Sequence, residues 1–129
     1  MKLTPIESSR SGGGAPQGRV RSNGTLSFTA AAVRTYNLTA NERVTFAHDE
    51  TDDKAEPGSK LYMMFTGDKG KATRKLSGAT GMRSVAVAGI LNQVGLDYET
   101  YDLTYEITRE FDYEGTRVLE LSLREKTKR

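Results

Sequence analysis

The sequence predicts a mainly β, α+β protein: a small barrel built from two strand-helix-strand-strand units behind a flexible N-terminal arm. Three observations carry that expectation. Apolar and polar residues alternate over short stretches in both halves of the chain, the period of half-buried strands. Each half holds one short helical stretch that ends on a residue tolerant of left-handed backbone followed by leucine, Asn37-Leu38 and Gly95-Leu96. One such unit is too small to bury a core by itself, which is a physical reason to pair two.

In chain order, residues 1–24 form the expected arm. "ESSRSGGGAPQGRVRSNG" (Glu7–Gly24) is rich in Gly and Ser and almost lacks large apolar residues. The first unit, 25–68, starts at "TLSF", where Leu26 and Phe28 alternate with polar neighbours. Ser27 or Thr29 can then cap the helix "AAAVRTY". Asn37 ends it and Leu38 folds back on its last turn. "ERVTFAH" puts Val44 and Phe46 on one strand face, and "KLYMMFTG" does the same with Leu61, Met63 and Phe65. Between them "DETDDKAEPGS" reads as a long acidic turn.

Residues 69–81 are polar, basic and Gly-containing and read as a linker. The second unit, 82–129, opens with a short strand near "GMRS". Val87, Ile90, Leu91 and Val94 then fall at helical spacing, and Gly95 is placed to stop that helix. "YDLTYEIT" alternates through Tyr101, Leu103, Tyr105 and Ile107. "YEGT" makes a turn, and "RVLELSL" alternates through Leu119, Leu121 and Leu123. The two halves share this order of elements with little residue identity, a repeat at the level of pattern.

Composition limits the function classes. The 129 residues suffice for one ordinary domain. The absence of Cys excludes disulfides and thiolate zinc sites, and a single His excludes a multi-histidine metal site within one chain. No cofactor is expected. "MKLTPIESSR" lacks the apolar core of a secretory signal and no apolar run reaches bilayer length, so the expected setting is cytoplasmic, with no membrane partner. The net charge of +2 is unevenly spread: +3 over 1–27, −3 over 28–68, +5 over 69–85 and −3 over 86–129. An anionic partner would meet the arm and the middle of the chain.

Leu26–Phe65 resembles the AbrB/MraZ group of swapped-hairpin barrels. The residues that carry the resemblance are "AAVRTYNLTANERVTF", with Val33-Arg34, then Leu38, then Val44 and Phe46. Two departures stand out. The family's Pro near the helix start is absent from "FTA", and its Gly-Asp turn is replaced by Asn41-Glu42. The resemblance covers about a third of the chain on a short, degenerate motif. It implies two interlocked units, here either a monomeric pseudo-dimer or a homodimer. It also implies a DNA-binding regulator or antitoxin, with Arg34 as the matching helix arginine, placed either at the duplex or in a structural pair with an acidic residue of the turn.

The residues expected to face double-stranded DNA are Arg19 and Arg21 on the arm, Arg34, the basic run Lys69, Lys71, Arg74 and Lys75, and Arg83. A solvated linker is the competing reading of the run, and a solubilising tail or partner-ordered segment that of the arm. No aromatic residue is interleaved among them, which argues against single-strand stacking.

The remaining motifs yield less. "HDETDD" (His48–Asp53) lacks calcium-loop spacing and reads as a solvated turn. "GDKGK" and "SGGG" lack the order of a phosphate-binding loop. Tyr98, Tyr101, Tyr105 and Tyr113 read as core or partner surface, with core favoured for Tyr101 and Tyr105. No nucleophile, base and orienting group assemble from these spacings, so an enzyme is not expected. Two readings stand: a non-enzymatic DNA-binding protein, and a structural or interaction component, for example of a phage or mobile element and then located in the virion, whose arm orders on a protein partner.

Overall fold

The computed structural model describes residues 2–3, 15–49, 56, 58–66, 73–78 and 82–129. Eight strands and two short helices alternate along the chain. They are β1 (Gln17–Val20), β2 (Thr25–Phe28), α1 (Ala30–Thr35), β3 (Arg43–Ala47), β4 (Lys60–Phe65), β5 (Arg74–Lys75), β6 (Arg83–Ala86), α2 (Ala88–Val94), β7 (Tyr101–Tyr113) and β8 (Thr116–Lys128). All pair antiparallel in one sheet of order β5-β3-β4-β8-β7-β1-β2-β6. The two ends of that order meet at a bridge between Ser77 and Ser84, whose N–H groups donate to each other's carbonyls at 3.0 and 2.8 Å. The sheet is therefore a nearly closed barrel within one chain.

The helix stops behave as their residues require. Thr29 caps α1, its hydroxyl accepting from the Ala32 N–H at 3.2 Å. Asn37 (φ 50°) and Gly95 (φ 82°) both take left-handed backbone. The leucine after each donates its N–H five residues back, Leu38 to Val33 at 3.1 Å and Leu96 to Leu91 at 2.9 Å. The turn Glu114-Gly115 has φ of 51° and 81°, the geometry of a two-residue hairpin between β7 and β8.

Two segments depart from the sequence expectation in the same way. The arm was expected to run to residue 24, yet Gln17–Val20 form β1, wedged between β2 and β7. The linker was expected to span 69–81, yet Arg74–Lys75 form β5 against β3, and Leu76 is completely buried. Each repeat thus gains a leading strand. The pairing is reciprocal: β1 hairpins with β2 and lies on β7, while β5 bridges toward β6 and lies on β3. Equivalent strands pair with each other, β2 with β6 and β4 with β8.

The core fills the barrel. Leu26, Val44, Met63, Leu91, Leu103, Tyr105, Leu119 and Leu121 are all at most 1% exposed. Tyr105 is the largest of them, and its hydroxyl donates to the Gly58 carbonyl at 2.6 Å. Gly18 faces Phe28 on one side and Tyr105 on the other; a Cβ there would lie 2.7 Å from Leu26 Cδ1. That glycine is a packing requirement, not a mark of flexibility. No helix among the described residues is long and apolar enough to cross a membrane.

Candidate nucleic-acid interface

Acidic residues are absent from two long stretches of the sequence, 8–41 and 69–96. In the fold these stretches contain β1-β2-α1 and β5-β6-α2. The sheet order sets β1, β2 and β6 side by side, and the Ser77–Ser84 bridge joins β5 to them. The four short strands form one acid-free sector of the barrel. Neighbouring strands lie about 4.8 Å apart, so the sector is about 14 Å wide.

A cross-strand row runs over its outer face. Thr104 of β7 pairs with Arg19, Arg19 with Ser27, Ser27 with Ser84, and Ser84 with Ser77. Residues directly opposite across a sheet point to the same face, so four hydroxyls and one guanidinium share this row. The Arg21 Nε donates to Ser27 Oγ at 3.0 Å and lays a second arginine along it. Small hydroxyl side chains leave the surface low, and hydroxyls and guanidinium groups are ordinary donors to phosphate oxygens.

Arg19 is not a bare charge. It forms a two-pronged pair with Asp102 of β7, its Nε donating to Oδ1 at 2.9 Å and its Nη2 bonding Oδ2. This hydrogen bond raises the Arg19 pKa and holds the Asp102 carboxyl below its usual range. The Arg19 side chain as a whole is 66% exposed.

Of the residues expected at the interface, the fold brings together Arg19, Arg74, Lys75 and Arg83, with Arg21 directly after β1. Arg83 opens β6 opposite the buried Phe28, so its side chain leaves on the face away from the Ser84 row, where it is half-buried with its Nε enclosed. Arg74 lies opposite Val44, and its Nη2 reaches toward Gly89 at the start of α2. Lys75 is exposed. Arg34 stands apart, in the last turn of α1. Lys69 and Lys71 lie outside the described residues. Arg43 escaped the sequence reading because it sits in a net-acidic segment. It pairs across from Lys75 and extends the basic sector onto β3. The alternation of "ERVTF" places it beside Val44 but cannot reveal a neighbour thirty residues on.

The other half of the barrel is mixed in charge. β7 carries Asp102, Glu106, Glu110 and Asp112 against one arginine, Arg109, while β8 carries Arg117, Arg124, Lys126 and Lys128 against Glu120 and Glu125. Among the described residues the one buried carboxylate is Glu120 of β8, which accepts from Thr108 Oγ1 at 2.9 Å and from Arg109 Nε at 2.8 Å. Burial pushes the Glu120 pKa up, but these two donors outweigh it and the net shift is downward. Among the described residues no three His, Cys, Asp or Glu side chains gather in a metal-binding group. His48 and Asp49 of "HDETDD" border an outer groove, and the rest of that motif lies outside the described residues.

Fold and surface define a class: a small, nearly closed antiparallel barrel with one acid-free, hydroxyl-lined sector and one half of mixed charge whose strand β7 is acidic. No family model, curated protein or solved structure matches the chain.

Proposed function

We propose that this protein is a non-enzymatic, double-stranded DNA-binding protein of AbrB type, acting as a transcriptional regulator or antitoxin. In this reading the barrel is a swapped-hairpin barrel closed within one chain, a monomeric pseudo-dimer. The reciprocal placing of β1 on β7 and β5 on β3 supports that description. The observation that carries the DNA reading is the acid-free sector with its row of Arg19, Ser27, Ser84 and Ser77. Arg21, Arg43 and Lys75 supply charge around the row, and the hydroxyls position phosphates. Arg34, Arg74, Arg83 and the basic run through Lys69 and Lys71 belong to the proposed contact set from sequence alone.

Duplex binding measured by fluorescence anisotropy between 50 and 200 mM salt tests it. Four phosphate contacts correspond to a slope of log K against log salt of about −3.6. Arg21→Ala with Lys75→Ala should remove about two units of that slope without lowering the melting temperature, since both side chains are exposed. No binding at the lowest salt, or a slope unmoved by the double variant, overturns the reading.

A further inference from the structure

Among the described residues, the far end of β7 is a sheet edge with no strand on one side. β1 pairs with β7 from Leu103 to Glu106, and the Ile107 N–H donates to the Pro16 carbonyl at 2.9 Å. Beyond Ile107, no strand among the described residues lies on that side of β7, although β7 continues to Tyr113. The register slips by one residue between Ile107 and Arg109. From there Arg109, Phe111 and Tyr113 face Glu120, Val118 and Thr116 of β8. Tyr113 and Thr116 close a two-residue hairpin, so these alternate residues exchange their backbone bonds with β8. The same alternation turns the N–H and C=O groups of Glu110 and Asp112 to the open side.

The side chains around this edge have a definite pattern. Phe111 stands between two acidic residues, Glu110 and Asp112, with Glu114 following in the turn. Tyr113 is 54% exposed. On the outer face Phe111 and Tyr113 join Tyr62, Met64 and Val118 in a groove of about 450 Å³. Phe111 is held there, edge-on to Tyr62 at 6.2 Å and under the Arg109 guanidinium at 4.4 Å.

We infer that this edge accepts an added strand from a protein partner, an extended segment with basic residues on either side of an apolar one. Backbone groups of Glu110 and Asp112 supply the ladder bonds, and Phe111 packs against the apolar residue. The Asp112 carboxylate meets one basic residue. Glu110, whose Oε2 already accepts from Arg117 but whose side chain is 41% exposed, meets the other. The molecule contains a precedent on the same strand. Lower on β7 the edge is filled by β1, where a basic residue beside an apolar one does the same: Arg19 binds Asp102 and Val20 lies opposite Leu103. Charge also argues against a second copy of the edge itself. Antiparallel pairing of two β7 strands about Phe111 would set Glu110 of one against Asp112 of the other, two like charges. The inference does not rest on the DNA reading, because the edge lies on β7, outside the acid-free sector.

The test uses the full chain and a labelled nonapeptide of alternating Thr and Val with Lys-Val-Lys at its centre. The controls carry Glu-Val-Glu at the centre, or N-methyl groups on the two lysine nitrogens. Anisotropy should show the lysine peptide binding at least fivefold tighter than either control. Amide exchange at Glu110 and Asp112 should slow on binding. Asp112→Lys, an exposed substitution, should weaken the lysine peptide and leave DNA titration unchanged. Equal binding of all three peptides, or no binding, overturns the inference. So do Glu110 and Asp112 amides that already exchange slowly in the free chain, because the edge is then filled within the protein.

Discussion

Tyr105→Phe isolates one hydrogen bond at the centre of the barrel. Tyr105 is fully buried, and its hydroxyl donates at 2.6 Å to the carbonyl of Gly58, itself buried. The substitution removes one oxygen and leaves the ring in place, so packing changes little. What it leaves is a buried carbonyl without its donor, which costs about 1–3 kcal/mol. Taking about 2 kcal/mol, and an unfolding entropy of about 2.1 cal/mol/K per residue over 129 residues, the melting temperature should fall by about 7 °C. Gly58 is held by more than this bond: it has φ 80°, and a Cβ there would meet Leu96 at 2.4 Å. The turn should therefore keep its place, and the loss should be enthalpic and local. Calorimetry at neutral pH reads it directly. Alkaline titration reads it a second way. Burial pushes the Tyr105 pKa well above the ordinary tyrosine value of about 10. The raised folded value means that its contribution is complete below pH 10 and falls as the unfolded chain ionises above it. Tyr105→Phe should flatten that alkaline decline. A melting temperature within 1 °C of the parent, with the decline unchanged, would refute the claim that this bond anchors the turn.

Other consequences are shorter to state. Glu120→Gln should flatten the acid limb: with its folded pKa depressed, ionised Glu120 stabilises above about pH 4.3, and that support is lost as pH falls through the lower folded value. Urea midpoints at pH 3 and pH 7 should differ less in the variant. Asp102→Asn should tighten duplex binding severalfold at 50 mM salt, because it releases Arg19 from its carboxylate; weaker binding would remove Arg19 from the interface. Gly95→Ala should cost about 1 kcal/mol from backbone strain alone, since a Cβ there meets nothing within 4 Å at φ 82°; Asn37→Gly at the matching stop should gain a few tenths, both read by urea denaturation. Thr29→Ala should cost about 1–2 kcal/mol, because its hydroxyl accepts from both Ala32 and Gln17 N–H groups at 3.2 Å.

The helix stops, the β7–β8 turn and the alternating strands were legible because each depends on residues within one turn or one pleat of the chain. Asn37-Leu38 and Gly95-Leu96 declare their backbone by residue type. β1 and β5 were not legible, and for one reason. Each offers a single strongly apolar anchor, Val20 and Leu76, and owes its existence to a partner far along the chain. Val20 sits opposite Leu103, and Arg74 opposite Val44. Gly18 misled in the opposite direction, since a glycine that makes room for Leu26 looks in sequence like one that loosens a tail.

The charge pattern holds more of the interface than any motif did. The acidic residues fall outside 8–41 and 69–96, and sequence alone cannot say whether two such stretches meet. The reciprocal pairing makes them meet. β2 against β6 joins the two repeats, and β1 and β5 flank that junction on either side, so both basic stretches come to one sector. The β3-β4 and β7-β8 hairpins meet through β4 and β8 on the opposite side, and bring most of the acidic residues with them. A chain of net charge +2 thereby acquires a basic pole set apart from a half in which most acidic residues stand among arginines and lysines. That separation matters more than the net charge for what can bind, because charges on opposite sides of a barrel lie beyond a Debye length of about 8 Å at physiological salt. A polyanion at the short strands is then largely indifferent to the carboxylates of β7, with one exception. Asp102 stands at the boundary and bonds Arg19, so it alone among the acidic residues of β7 should tune the basic pole.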